Sequence, residues 1–167
     1  MLKILLALSL SSLLIFGCSG SSNTQSNSDI LGIKIGMSKE ATVKRLQEIG
    51  KLDREERKQQ EIWTLNNDPH YYYLIVAFDK EKQAVRYVTA KARDNGTRVP
   101  YKDVIDISTA KLTTSPNNYK YTQEFQANES TPGYTKITSG TDANYLTYFS
   151  LKELNSSEEE EEKDQIK

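Results

Sequence analysis

Apolar and polar positions along the chain follow two rhythms, one of three to four residues and one of two. Val43, Leu46 and Ile49 recur every three residues while Lys44, Arg45, Gln47 and Glu48 face elsewhere, which predicts a helix over about 39–49. Ser38 is a suitable cap for its first turn, Glu40 adds negative charge at the positive helix start, and Gly50 can take the left-handed conformation that ends a helix. The charged stretch 51–58 fits either a helical extension or a loop. Beyond it, Glu61–Leu65 suits a strand, and Asn66-Asn67-Asp68-Pro69 is dense turn chemistry. Tyr71–Phe78 is apolar at nearly every position, as expected of a central strand covered on both faces. Asp79–Gln83 then turns the chain into a strand at Ala84–Ala92, and Asp94-Asn95-Gly96 turns it again. In this reading Leu74, Val76 and Phe78 pack on the helix stripe, and Tyr71, Tyr73, Ile75 and Ala77 occupy the opposite face.

The second half reads similarly. Pro100 opens a helical piece near Tyr101–Leu112 with Val104, Ile105 and Ala110 as its apolar side. Tyr119, Tyr121, Gln123 and Phe125 alternate with Lys120, Thr122, Glu124 and Gln126, a period-two strand with one wet face. Pro132-Gly133 and Gly140–Asn144 set off two more strands, Tyr134–Ser139 and Tyr145–Leu151. The expected fold is α+β: a short helix followed by an antiparallel β-meander, with helix plus three strands occurring twice. Degenerate duplication and coincidence both account for the echo.

The chain start changes the picture. Lys3, the apolar run Ile4–Phe16, Gly17 and then Cys18 follow the order of a signal peptide. The run is thirteen residues long, short of the roughly 20 that span a bilayer core as a helix. Leu14-Ile15-Phe16-Gly17-Cys18 resembles a bacterial lipoprotein signal, which implies that Cys18, the chain's single cysteine, is lipidated and becomes the first mature residue. Acyl chains contribute about 0.8 kcal/mol per buried methylene, so a lipid of this kind, palmitate included, holds a protein on a membrane without a transmembrane helix. The expected organisation is a signal peptide (1–17), an anchor and Ser/Asn-rich tether (18–30), one domain (31–154, with halves 31–95 and 100–154) and an acidic tail (155–167) containing Glu158–Glu162. The body is weakly basic and the tail acidic. Neither charge is extreme, and with export they exclude nucleic acid as the expected partner.

Ile33-Lys34-Ile35-Gly36-Met37-Ser38-Lys39-Glu40, the short amphipathic helix, Trp63 and the strands after it resemble the SmpA/OmlA group of outer-membrane lipoproteins over roughly residues 31–92. That resemblance implies a small antiparallel sheet packed by helices, shared with the β-lactamase-inhibitor-like fold. It also implies an accessory role in the β-barrel assembly machinery, with other envelope proteins as partners. The expected location is the cell envelope, on the periplasmic side of an outer membrane where the cell has one.

Catalytic constellations are scarce. His70 is the single histidine and lies in turn sequence, so a zinc-binding His pair is excluded, and no Gly-x-Ser-x-Gly elbow, phosphate loop or calcium loop occurs. Glu55/Glu56 and Asp103/Asp106 lie in polar segments and read as solvated charge. No cofactor is expected. Ten tyrosines fall between Tyr71 and Tyr148, and tyrosine serves strands and binding surfaces alike. Tyr71 and Tyr73 are the candidate partner-binding residues. The expected function is a non-catalytic, membrane-anchored protein-binding or scaffold module, with an inhibitor or ligand-capturing module of the same architecture as the alternative.

Overall fold

The computed structural model describes residues 28–57 and 59–154. One helix, α1 (Lys39–Ile49), is followed by β1 (Gly50–Glu56), β2 (Gln60–Leu65), β3 (Tyr71–Phe78) and β4 (Val85–Ala92). A crossover containing a 3-10 turn at Tyr101–Asp103 leads to β5 (Lys111–Ser115), β6 (Asn118–Phe125), β7 (Tyr134–Gly140) and β8 (Tyr148–Glu153). All eight strands form one antiparallel sheet in the order β1-β2-β3-β4-β8-β7-β6-β5. Two four-strand meanders are thus joined last strand to last strand.

The helix begins where its cap dictates: the Ser38 hydroxyl accepts the Ala41 N–H at 3.3 Å. It ends differently from the expectation. Gly50 is extended (φ −161°) and starts β1 at once, and a Cβ there would lie 2.6 Å from the Thr64 carbonyl oxygen. Close approach to β2, rather than a left-handed turn, is what requires glycine. The charged stretch after it is neither helix nor loop. It is the edge strand β1, whose six residues after Gly50 are all exposed, so polar side chains carry no desolvation cost there.

The expected architecture of helix plus three strands, twice, is therefore corrected, among the described residues, to one helix and two meanders of four strands. The helix anticipated over Tyr101–Leu112 shrinks to three residues. Val104, Ile105, Ile107 and Thr109 are β-branched, and Asp106 draws the Ser108 N–H (3.0 Å) and hydroxyl (2.6 Å) to its own carboxylate, offering the backbone an alternative to helical bonds.

One face of the sheet is covered. Ile30, Ile33 and Ile35 of the segment before α1, Leu46 of the helix, and Val99, Tyr101, Val104 and Ile105 of the crossover join Trp63, Leu74, Val76, Val88, Ala90, Phe149 and Leu151 in one core. Gly36 bends this segment with φ +79°, packed where a Cβ would fall 2.8 Å from Pro132. The other face bears no such layer among the described residues, so β3 is covered on one side rather than two. Ile62 points there and is shielded by its neighbours, outside the core cluster.

Candidate interaction surface

The uncovered face can be read strand by strand from the register. Its middle row runs Arg54, Ile62, Ile75, Thr89, Ser150, Ile137 and Thr122 across seven strands. One row away lie Thr64, Tyr73, Lys91, Tyr148, Ser139 and Lys120; on the other side lie Ala77, Tyr87, Lys152 and Thr135. At about 4.8 Å between strands and 3.3 Å per residue, eight strands of some six residues span roughly 34 by 20 Å. That matches the ≈ 800 Å² per partner of a standard protein interface.

The seam between the meanders runs through this face. The Thr89 and Ser150 hydroxyls meet at 2.7 Å across β4 and β8, a satisfied polar pair that fixes their register. Beside it the ammonium of Lys91 sits 5.5 Å from the Tyr148 ring centre and 2.8 Å from the Asp94 carboxylate. Tyr73 is half-buried, and burial, then the neighbouring Tyr148 phenol, raises its hydroxyl above the ordinary tyrosine value. The outcome is a platform of aromatic bodies with polar tips, interleaved with β-branched and lysine side chains. Such a surface gives contact area at low conformational-entropy cost and keeps charge at hand for orientation.

Of the two tyrosines expected on this face, Tyr73 is there and Tyr71 is not. A register shift between Tyr71 and Tyr73 puts Tyr71 opposite Ala92, where it is 8 % exposed within the core. Burial pushes its hydroxyl above the ordinary value, with Asp68 adding to the effect. The bulge has a cause: the Asp68 carboxylate accepts the N–H groups of both His70 (2.9 Å) and Tyr71 (2.6 Å), pinning the start of β3. Leu74, Val76 and Phe78 do lie in the core with the helix stripe. Cys18 and the acidic run Glu158–Glu162 lie outside the described residues.

Tyr148, Tyr87, Lys91 and Lys152 were not singled out from sequence. Their signal was the alternation itself: Tyr148, Ser150 and Lys152 against Phe149 and Leu151, and Tyr87, Thr89 and Lys91 against Val88 and Ala90.

The groups with catalytic potential stay apart. His70 holds the loop after Gly96 through Nδ1, 3.3 Å from the Thr97 carbonyl oxygen. Glu56 pairs with Arg54 at 2.9 Å, and Asp106 is engaged with Ser108. Among the described residues no three His, Cys, Asp or Glu side chains converge as a metal site. At one end of the sheet Arg93 and Arg98 flank a cleft of about 180 Å³. Their donors are engaged: Arg93 Nε donates to the Asp68 carbonyl (2.7 Å) and Arg98 Nη2 to the Asp142 carboxylate (2.6 Å). These arginines tie loops together.

Comparison with family models, with curated proteins and with solved structures returned no match to the chain.

Proposed function

We propose that the chain is a non-catalytic, lipid-anchored envelope lipoprotein that holds another envelope protein on the uncovered face of its sheet. The single observation behind this reading is that face: about 34 by 20 Å, tyrosine-rich, and without a covering element among the described residues. The lipoprotein part rests on Leu14–Cys18, with Cys18 as the acylated residue and the tether that follows it as the spacer from the membrane. Accessory work in β-barrel assembly is the setting implied by the resemblance around Gly36-Met37-Ser38.

The experiment is a crosslinking pull-down from intact cells, comparing the wild-type chain with a Tyr73→Ala/Tyr148→Ala double variant, alongside labelled-palmitate incorporation for Cys18→Ser. The expected results are an envelope protein recovered by the wild type and lost in the double variant, and no label in Cys18→Ser. A soluble enzyme as the recovered partner would favour an inhibitor using the same face. Unchanged recovery by the double variant would remove the face from the account.

A further inference from the structure

The two edges of the sheet are protected unequally. On β1, five of seven residues are charged (Lys51, Asp53, Arg54, Glu55, Glu56), and the register slips between Leu52 and Arg54. Charge and irregularity are the usual ways an edge refuses another strand. On β5, Lys111-Leu112-Thr113-Thr114-Ser115, one residue in five is charged, every residue is exposed, and pairing with β6 is unbroken. Ser115 pairs with Asn118 across Pro116 and Asn117, the latter at φ +60°. In a two-residue hairpin the closing pair exchanges both hydrogen bonds, so alternate residues, Leu112 and Thr114, turn their N–H and C=O groups outward.

A second observation lies beside this edge. Leu112 and Ile107 are 48 % and 47 % exposed, on the half of the sheet that lacks a helix. Leu112 pairs with Tyr121, whose ring meets Tyr101 at 4.9 Å. Tyr121, Tyr101, Ile107, Pro100 and Tyr145 line a groove of about 320 Å³, in which Lys102 is the one charged side chain. Lys111, paired with Thr122, belongs to the other face of the sheet.

We propose that β5 accepts an additional strand from an extended segment of a partner protein, whose every second side chain is apolar and faces Leu112 and the groove. Lys102, the charged side chain of the groove, selects a carboxylate in that segment. Backbone groups of Leu112 and Thr114 give affinity, and the groove gives side-chain preference. This site is separate from the tyrosine face and stands whether or not that face binds a protein.

The test is selection of a displayed library of nine-residue peptides on the full chain in detergent, followed by titration of the enriched peptides against variants. The expected peptides alternate apolar and polar positions and carry an acidic residue. Leu112→Lys and Thr114→Pro should each weaken them at least tenfold, with unchanged melting temperatures. Lys51→Thr on the opposite edge should leave them unaffected, and amide exchange should slow at Leu112 and Thr114 when peptide is bound. If no peptide is enriched, or the enriched ones bind the β5 variants as well as the wild type, the proposal is overturned. A dimer of the chain alone that Leu112→Lys dissociates would overturn it too, giving the edge to a second copy.

Discussion

The two meanders lie in one sheet but are roofed by different means, and the chemistry beneath each roof follows. Over the first lies α1, whose interior backbone groups bond within the helix and whose ends meet local partners, the Lys39 N–H on the Gln83 carbonyl (2.8 Å) and the Ile49 carbonyl on the Asn66 N–H (2.9 Å). The strands below offer it Leu74, Val76, Val88 and Ala90. Over the second lies the Val99–Ile105 crossover, whose irregular backbone leaves carbonyls in need of donors. Beneath it β7 turns Lys136 and Thr138 inward, both with no exposed surface. The Lys136 ammonium donates to the Val104 carbonyl at 3.1 Å and lies 5.2 Å from the centre of the Phe125 ring. The polar groups buried beneath the helix have local partners, Thr42 Oγ1 donating to the Ser38 carbonyl (2.8 Å) and the Glu61 carboxylate accepting from the Trp63 indole N–H (2.9 Å). The irregular cover instead draws a lysine from the sheet to satisfy one of its carbonyls.

The largest effect should come from the first meander. Leu74→Ala removes a wholly buried side chain beneath α1 and should cost about 2–5 kcal/mol in urea unfolding. A loss under 1 kcal/mol would mean that Leu74 is not packed in the core beneath the helix.

Lys136 sharpens the contrast through pH. Burial lowers its ammonium to about 8, with Asp29 opposing the shift. Between that value and the unfolded pKa of about 10.4 the unfolded chain holds the extra proton, so stability should rise with pH, by up to about 1.4 kcal/mol per unit. Urea midpoints at pH 7.5, 8.5 and 9.5 should climb in the wild type and stay level in Lys136→Met. Above pH 10 the sign reverses. Burial holds the Tyr101 hydroxyl up to about 12, so its contribution, complete below pH 10, is lost between 10 and 12. Tyr101→Phe removes donation to the Tyr119 (3.3 Å) and Asp142 (3.2 Å) carbonyls and should cost about 1 kcal/mol.

The smallest effect is also the one opposite in sign. Among the described residues the buried Thr138 hydroxyl has no hydrogen-bond partner. Thr138→Val keeps its shape without the polar atom and should raise stability by up to about 1 kcal/mol. Destabilisation on thermal melting would show that the hydroxyl is satisfied after all.

The same division governs what could be read from the sequence. Where one rhythm dominated, the elements were legible: α1 from Val43, Leu46 and Ile49, and β3 from Tyr71 to Phe78. β1 was not, because at an edge no burial imposes alternation on Lys-Leu-Asp-Arg-Glu-Glu. β5 was hidden because Lys111 and Leu112 closed a plausible helical stretch, and the competition from Asp106 shows only in three dimensions. At the site, strict alternation placed Tyr73 correctly. It misplaced Tyr71 because a bulge, set by one Asp68 carboxylate, breaks the period of two.

That misplacement gives the most direct test of the binding face, since the two tyrosines are neighbours in sequence on opposite sides of the sheet. A photoreactive phenylalanine analogue would replace Tyr71, Tyr73 or Tyr148 in turn in intact cells, with adducts identified by mass spectrometry. Positions 73 and 148 should give the same protein adduct and position 71 none. Adducts from none of the three, or from position 71 alone in a protein that melts normally, would contradict this placement of the binding face.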